Sequence, residues 1–359
     1  MSWLRVLKEF INPDSVSYPS IPPFEAGLRP NALLDEGNPL LGGRGDLEPE
    51  DVTFKEGVLI FTSGRSLYSV DDTGVREIVE FAGTAGAVAV VLDEVFVSVE
   101  GTGIVAARLD GSVRVVNADS AVQRCVTDLA ALPNGEMLVT VGSSKGSTWS
   151  YALVKKEATG MIVRVNGDRA TIAATRLPWP AGIAVAGSEV MLSLSLAHRI
   201  ERRPLANLDA PGASVVGNLP VHPGRIRTVD DRWWVAAPYA RNRLTEMILD
   251  EPEFTDEMVR EIGPEQWFIP ILRNDNLFTS AAQYGAVRVH GVLKPWAPPR
   301  SYGLVFEIDR FGRISRSAHS RADSNRHGVT GVAVRGDTVV AAAQGHRDLI
   351  AVTMKGTHA

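Results

Sequence analysis

Short runs rich in Val, Ile and Leu alternate along the chain with turns rich in Gly, Asp and Asn, which is the pattern of an all-β protein. The runs fall into units of similar design. Each opens with a small or polar turn and a short apolar strand. A second turn leads to a more strongly apolar strand, and one or two more polar strands follow. The units read "PEDVTFKEGVLIFTSGRSLYSVDDTG" from residue 49, "GAVAVVLDEVFVSVEGTGIVAARLDGS" from 86 and "VTDLAALPNGEMLVTVGSS" from 126. They continue with "PAGIAVAGSEVMLSLSLAHRIERRPL" from 180, "PGRIRTVDDRWWVAA" from 223 and "GVTGVAVRGDTVVAAAQGHRDLIAV" from 328. Six units of roughly four strands each predict a six-bladed β-propeller. Sheets stacked radially cover a central strand on both faces, so one strand per unit is apolar at nearly every position. An outer strand such as "HRIERRPL" alternates and carries charge. Residues 46 to 359 thus read as the propeller, and residues 1 to 45 as an N-terminal segment packed on it.

One unit is swollen. Between Trp234 and "SYGLVFEIDRFG" at 301, residues 241 to 300 form an insertion in the fifth blade. Its "RLTEMILDEPEFTDEMVREIG" predicts a helix with Thr255 as N-cap and Gly263 as stop. The aromatic and proline-rich remainder suits either a lid over a channel mouth or a cover that touches no ligand. A lid would bring Trp267, Phe268 or Trp296 to a cavity wall.

Composition narrows the function classes. A net charge of -5 gives no electrostatic reason to expect nucleic acid or an anionic membrane as partner. The single cysteine, Cys125, excludes an internal disulfide and a cysteine-based metal cluster. No stretch approaches the ~20 apolar residues of a spanning helix. The opening "MSWLRVLKEFI" lacks the features of a secretory leader, and a cytoplasmic location is the expectation. Residues Trp3 to Phe10 form an amphipathic stretch suited to packing on the domain or to peripheral membrane contact. "GRGD" at 43 to 46 is read as coincidence.

Several fragments resemble a known family. "LEPEDVTF", "ATGMIVRVNGDRATIAATRLPWPAGIAV", "AHRIERRPL", "NLPVHPGRIRTVDDRWWVA" and "YGLVFEIDRFGRISRSAH" are similar, in order, to the strictosidine synthase-like branch of the SMP-30, gluconolactonase and paraoxonase superfamily of six-bladed propellers. The resemblance runs from about Arg29 to the C-terminus. It implies an active site at the central channel, ringed by the first residues of each innermost strand. Counting two back from the first apolar residue of those strands gives Glu50, Gly86, Thr127, Ala181, Gly224 and Thr330. One back gives Asp51, Ala87, Asp128, Gly182, Arg225 and Gly331.

In metal-dependent relatives this ring holds calcium through a Glu of the first blade, Asn residues of the third and fourth, and Asp-Asn or Asp in the fifth. Here only Glu50 stands in its ligand place. Thr127, Ala181, Gly224 and Arg225 replace the others, so no metal and no cofactor are expected, since calcium needs six to eight oxygens. Arg225 is expected to take over the positive charge, paired with Glu50 or with a substrate oxygen. The glutamate that strictosidine synthase uses in the last blade corresponds to Thr330 or Val329, so its cyclisation chemistry is not carried over. A second-blade histidine of the paraoxonase kind is absent as well, with Gly86 nearby.

What remains is a ring of small residues with a few polar groups. Glu50, Arg225 and Asp128 are the candidate catalytic residues. Thr127, Thr330, Trp179, His222 and His327, with Trp267, Phe268 and Trp296 of the insertion, are the candidate substrate contacts. "GSSKGS" around Ser143 lacks the setting of a nucleophile elbow, and His198 and His346 read as structural or loop residues. The expectation is a metal-independent enzyme acting on a small, partly apolar organic metabolite. Hydrolysis of a lactone or ester comes first. A cyclase or lyase, or a propeller that only binds a ligand or protein, stands as the alternative.

Overall fold

The computed structural model describes residues 21–22, 27–273, 288–289, 292–293, 301–320 and 326–354. Six four-stranded antiparallel sheets surround one channel. Blades one to four each use consecutive strands: Pro49–Lys55 to Gly74–Glu80, Ala85–Val91 to Val113–Asn117, Val126–Ala131 to Arg169–Leu177, and Pro180–Ala186 to Ala213–Val216. Blade five pairs Ile226–Val229 with Arg232–Ala236, then resumes at Gly303–Ile308 and Ile314–Ser320. Blade six consists of Val329–Arg335, Thr338–Ala343 and Asp348–Thr353, and takes its outermost strand, Asn38–Pro39, from near the start of the chain. Asn38 lies opposite Ala351 and Pro39 opposite Ile350. The Leu41 N–H reinforces this closure by donating to Asp348 Oδ1 at 2.9 Å.

The second strand of each blade explains the apolar runs. Phe61, Val97, Val139, Leu192, Val235 and Ala341 are all fully buried, because both faces of their sheets are covered by neighbouring blades. Burying each larger side chain stabilises the fold by roughly 1.5–3 kcal/mol before entropy is counted. Outer strands show the opposite pattern, and Val113, Val115 and Ile172 stay exposed.

Innermost strands begin at one mouth of the channel, called upper here, and run to the lower mouth. The long second-to-third-strand connections of blades three and five both rise on the upper face. The first carries a helix, Trp149–Val154, which the sequence pattern did not reveal. The second carries helices Arg243–Leu249, capped by Asn242, and Pro252–Glu261. The latter starts ahead of the expected cap. Pro252 occupies its first position, where a missing N–H is harmless, and Thr255 lies inside the helix with its hydroxyl donating to the Pro252 carbonyl at 3.0 Å. Leu153, Met258, Trp267 and Ile269 form the buried core of this helical cap. Among the described residues no helix is long and apolar enough to cross a membrane. The stretch Trp3 to Phe10 lies outside the described residues.

Candidate functional site

A register shift recurs at the upper end of the innermost strands: between Pro49 and Asp51, Ala85 and Val88, Val126 and Asp128, Pro180 and Gly182, and Val329 and Gly331. Such bulges re-aim the residues that follow them. Glu50, Thr127, Ala181 and Thr330 are the extra residues of their strands. Asp51, Asp128, Gly182 and Gly331 come next and pair with the second strand. In blade five Arg225 holds this latter place, since Ala236 N–H donates to its carbonyl and Ile226 pairs with Val235. Small residues are needed here because the strands converge: a Cβ on Gly182 would stand 2.3 Å from the Gly224 carbonyl oxygen.

Arg225 crosses the channel. Its Nε donates to the Thr127 carbonyl at 3.0 Å, and its Nη1 to the carbonyls of Glu50 at 2.8 Å and Thr330 at 3.0 Å. Its Nη2 meets Glu50 Oε1 at 2.6 Å, and its Nε lies 3.4 Å from Asp51 Oδ2. These contacts occupy four of the five guanidinium N–H groups. The guanidinium thus ties together blades one, three and six. Thr330 Oγ1 also donates to the Glu50 carbonyl, and Thr127 Oγ1 to the Pro180 carbonyl, so both threonines stitch neighbouring inner strands.

Directly below lies Arg227, two residues along the strand and therefore on the same side. Its Nη1 donates to both oxygens of Asp128, at 2.8 and 3.1 Å, and its Nη2 to Asp51 Oδ2 at 2.6 Å. Asp51 also accepts the N–H groups of Val52 and Val88. Asp128 accepts those of Leu129 and Ile183. Each aspartate therefore fastens its own blade to the next. Both are wholly buried. Three carboxylates (Glu50, Asp51, Asp128) face two guanidinium groups, leaving one negative charge in excess. Burial raises the Asp128 carboxyl above its ordinary range and Arg227 opposes the shift, while the Asp51 charge adds to it. Burial works against the charge of Arg225, but Asp51 and Glu50 outweigh it and hold the guanidinium above its usual value.

This two-layer ion network divides the channel. Above it is a chamber of about 410 Å³ lined by Glu50, Glu48, Thr84, Ser98, Glu100 and Gln344, among others. Of the three network carboxylates Glu50 lines this chamber, with its side chain 28% exposed, beside Glu48 and Glu100 of the wall. Its Oε1 is held by Arg225, and its Oε2 has no hydrogen-bond partner among the described residues. Below the network lies a second chamber of about 270 Å³, lined by Arg227 and the lower inner strands.

The other candidates are dispersed. Trp179 is buried against Gly142, with a left-handed backbone at φ 55°. His222 is buried between His198, at 4.5 Å between ring centres, and Trp149, at 5.1 Å. Burial holds the His198 imidazole down at about 3 and that of His222 well below its ordinary range. His327 Nδ1 pairs with Ser301 Oγ. Trp267 is buried in the cap and donates its Nε1–H to the Ile262 carbonyl at 3.0 Å. Phe268 is half-buried beside Phe254, and Trp296 lies outside the described residues. The pattern reading missed Arg227, although its i, i+2 spacing from Arg225 was the available signal. It also missed Tyr239, which stacks on Trp149 at 4.3 Å and whose phenol is pushed up by burial and by the nearby Glu50 charge.

No family model and no curated protein matches the chain. Among solved structures it is similar to a calcium-binding protein, regucalcin from Agrobacterium tumefaciens strain C58, at 12% identity and a TM-score of 0.54, covering 90% of this chain and 94% of that one. It is also similar to streptogramin B lyase, at 12% identity and a TM-score of 0.52, covering 89% of this chain and 97% of that one. These likenesses are likenesses of propeller fold.

Proposed function

We propose that the upper chamber is the active site of a small-molecule enzyme in which Glu50 is the acid–base group. The observation that carries this reading is the contrast among the three channel carboxylates. Asp51 and Asp128 are spent on backbone N–H groups and Arg227, whereas Glu50, at the chamber floor, has one oxygen with no partner among the described residues. Hydrolysis of a lactone or ester fits this set most directly. The free Glu50 oxygen takes a proton from water as the water oxygen attacks the carbonyl carbon. The protonated carboxyl then returns that proton to the departing alkoxide. Arg225, with four N–H groups committed within the protein, is a positioning residue that holds Glu50 Oε1 and aims its other oxygen into the chamber.

Regucalcin is described as calcium-binding, and the superfamily resemblance raises the same ion here. The residues do not fit it. The Arg225 guanidinium sits among the oxygens that would have to turn toward a cation, and Thr127, Ala181 and Gly224 offer no carboxylate. The proposed chemistry therefore runs without calcium. A strictosidine synthase-like lineage and a partly apolar metabolite as substrate belong to this same proposal.

The test is a panel of γ- and δ-lactones and aryl esters, assayed with and without chelator. We expect Glu50→Gln to lower kcat by about 100-fold or more with KM little changed, the scale of a lost general base. Turnover that survives the substitution, or that vanishes on chelation and returns with calcium, refutes the reading.

A further inference from the structure

The lower chamber is open toward the lower mouth of the channel. It continues into a wider funnel of about 630 Å³, and the two share Val90, Ala131 and Val185 in their walls. The chamber itself is mostly polar, with Thr53, Thr228 and backbone groups in its wall, because Leu129, Ile183 and Ile226 turn their side chains into the cores between blades; the funnel below it is mostly apolar. At its roof stands Arg227. Both its terminal nitrogens are taken by Asp51 and Asp128, while its Nε–H has no partner among the described residues.

The funnel rim carries an independent anomaly. In the hairpin joining the first two strands of each blade, the left-handed position is held by Glu56, Leu92, Gly135, Gly187, Asp230 and Gly336. Five of these are small or polar. Leu92, at φ 54°, is a branched apolar residue in a conformation that disfavours it, and it is 90% exposed. Neither backbone preference nor burial accounts for a leucine there. An apolar body resting on it would, since strained residues persist where they serve a contact.

We propose that this lower funnel and chamber form a second binding site, distinct from the Glu50 chamber, for a neutral molecule with an apolar body and a carbonyl-type acceptor. The body packs on Leu92, Leu132 and Pro133, and the acceptor takes the spare Arg227 N–H. Neutrality follows from how the Arg227 donors are already used. Both terminal nitrogens of Arg227 are already paired with Asp51 and Asp128, so an incoming anion meets one spare N–H beside two buried acidic groups, whereas a neutral acceptor needs only that N–H.

The probe is 6-propionyl-2-(dimethylamino)naphthalene, a neutral aryl ketone whose emission reports an apolar environment. Its anionic counterpart is 1-anilinonaphthalene-8-sulfonate. Saturable binding of the ketone at one site, with much weaker binding of the sulfonate, is expected. Leu92→Asn suits the left-handed turn, so it folds, and it should weaken the ketone about tenfold, the scale of one lost leucine contact. Ala131→Trp fills the shared wall and should abolish binding. Thr84→Trp, which obstructs only the upper chamber, should leave it intact. Unsaturable binding, equal binding of the sulfonate, or displacement by Thr84→Trp but not by Ala131→Trp overturns the proposal. None of these outcomes depends on whether Glu50 is catalytic.

Discussion

Arg227→Met removes the cation shared by two fully buried aspartates while roughly keeping the side-chain volume. Asp51 retains the Val52 and Val88 N–H groups and has Arg225 Nε at 3.4 Å. Among the described residues Asp128 keeps the N–H groups of Leu129 and Ile183. Stranding one charge of a buried pair costs about 3–5 kcal/mol, so a loss near 4 kcal/mol is expected in urea unfolding followed by circular dichroism. The loss should also depend on pH. Burial already raises the Asp128 carboxyl, and removing Arg227 raises it further. A carboxyl whose folded value lies above its unfolded value of about 3.9 loses stability as pH rises through that window. The deficit relative to the parent protein is therefore largest near neutral pH and shrinks toward pH ~4 and below, where Asp128 becomes protonated in both states. Adding Asp128→Asn removes the stranded charge and should restore about half of the loss. A deficit under about 1 kcal/mol, independent of pH and not relieved by Asp128→Asn, would show that water screens this network and that it does not hold the blades together.

The remaining expectations follow from the same geometry. Arg225→Lys keeps a charge but loses the fork that spans three blades, so a drop in stability of about 2 kcal/mol should accompany any loss of turnover. If the Arg225→Lys protein unfolds like the parent yet the carbonyl contacts are absent in its crystal structure, the tie is unimportant. His198 is held at about 3 against an unfolded value of about 6.5, so the unfolded chain binds the extra proton between those values. Stability should thus fall as pH drops below ~6.5, by about 1.4 kcal/mol per unit from this residue, and His198→Asn, which tolerates the left-handed backbone, should flatten the slope by that amount. An unchanged slope would place the acid sensitivity elsewhere. Trp267→Ala should open the helical cap while leaving the blades folded, read as faster amide exchange in 149–154 and 243–269 alone. Exchange that rises in the blades as well would make the cap part of the propeller core.

Strand grouping, blade number and the interrupted fifth blade are properties of the local pattern. A strand covered on both faces has to be apolar throughout, and turns have to carry residues that tolerate them, so "VLIFTS" and "EVMLSL" announce their places without a partner in view. The ring positions Glu50 and Arg225 were reached by counting back along those strands, but that such positions line a channel site was implied by the family resemblance and not by the pattern. The borrowed strand Asn38–Pro39 was not legible, since two residues carry no period and pair with a segment three hundred positions away. The helix Trp149–Val154 is one and a half turns long and depends on packing against the cap. The fates of the channel charges were likewise decided only in three dimensions. Glu50, Asp51 and Asp128 are chemically similar and stand near the starts of their strands, yet ring closure places one at a chamber floor and two in the buried interior beneath it. Arg225 and Arg227 are two residues apart on one side of the chain, and which carboxylates they meet depends on blades that the sequence separates by about a hundred residues or more. Local sequence sets what each strand is because backbone preference and side-chain period act over a few residues, whereas electrostatic partnership acts through space and exists only once the ring has closed.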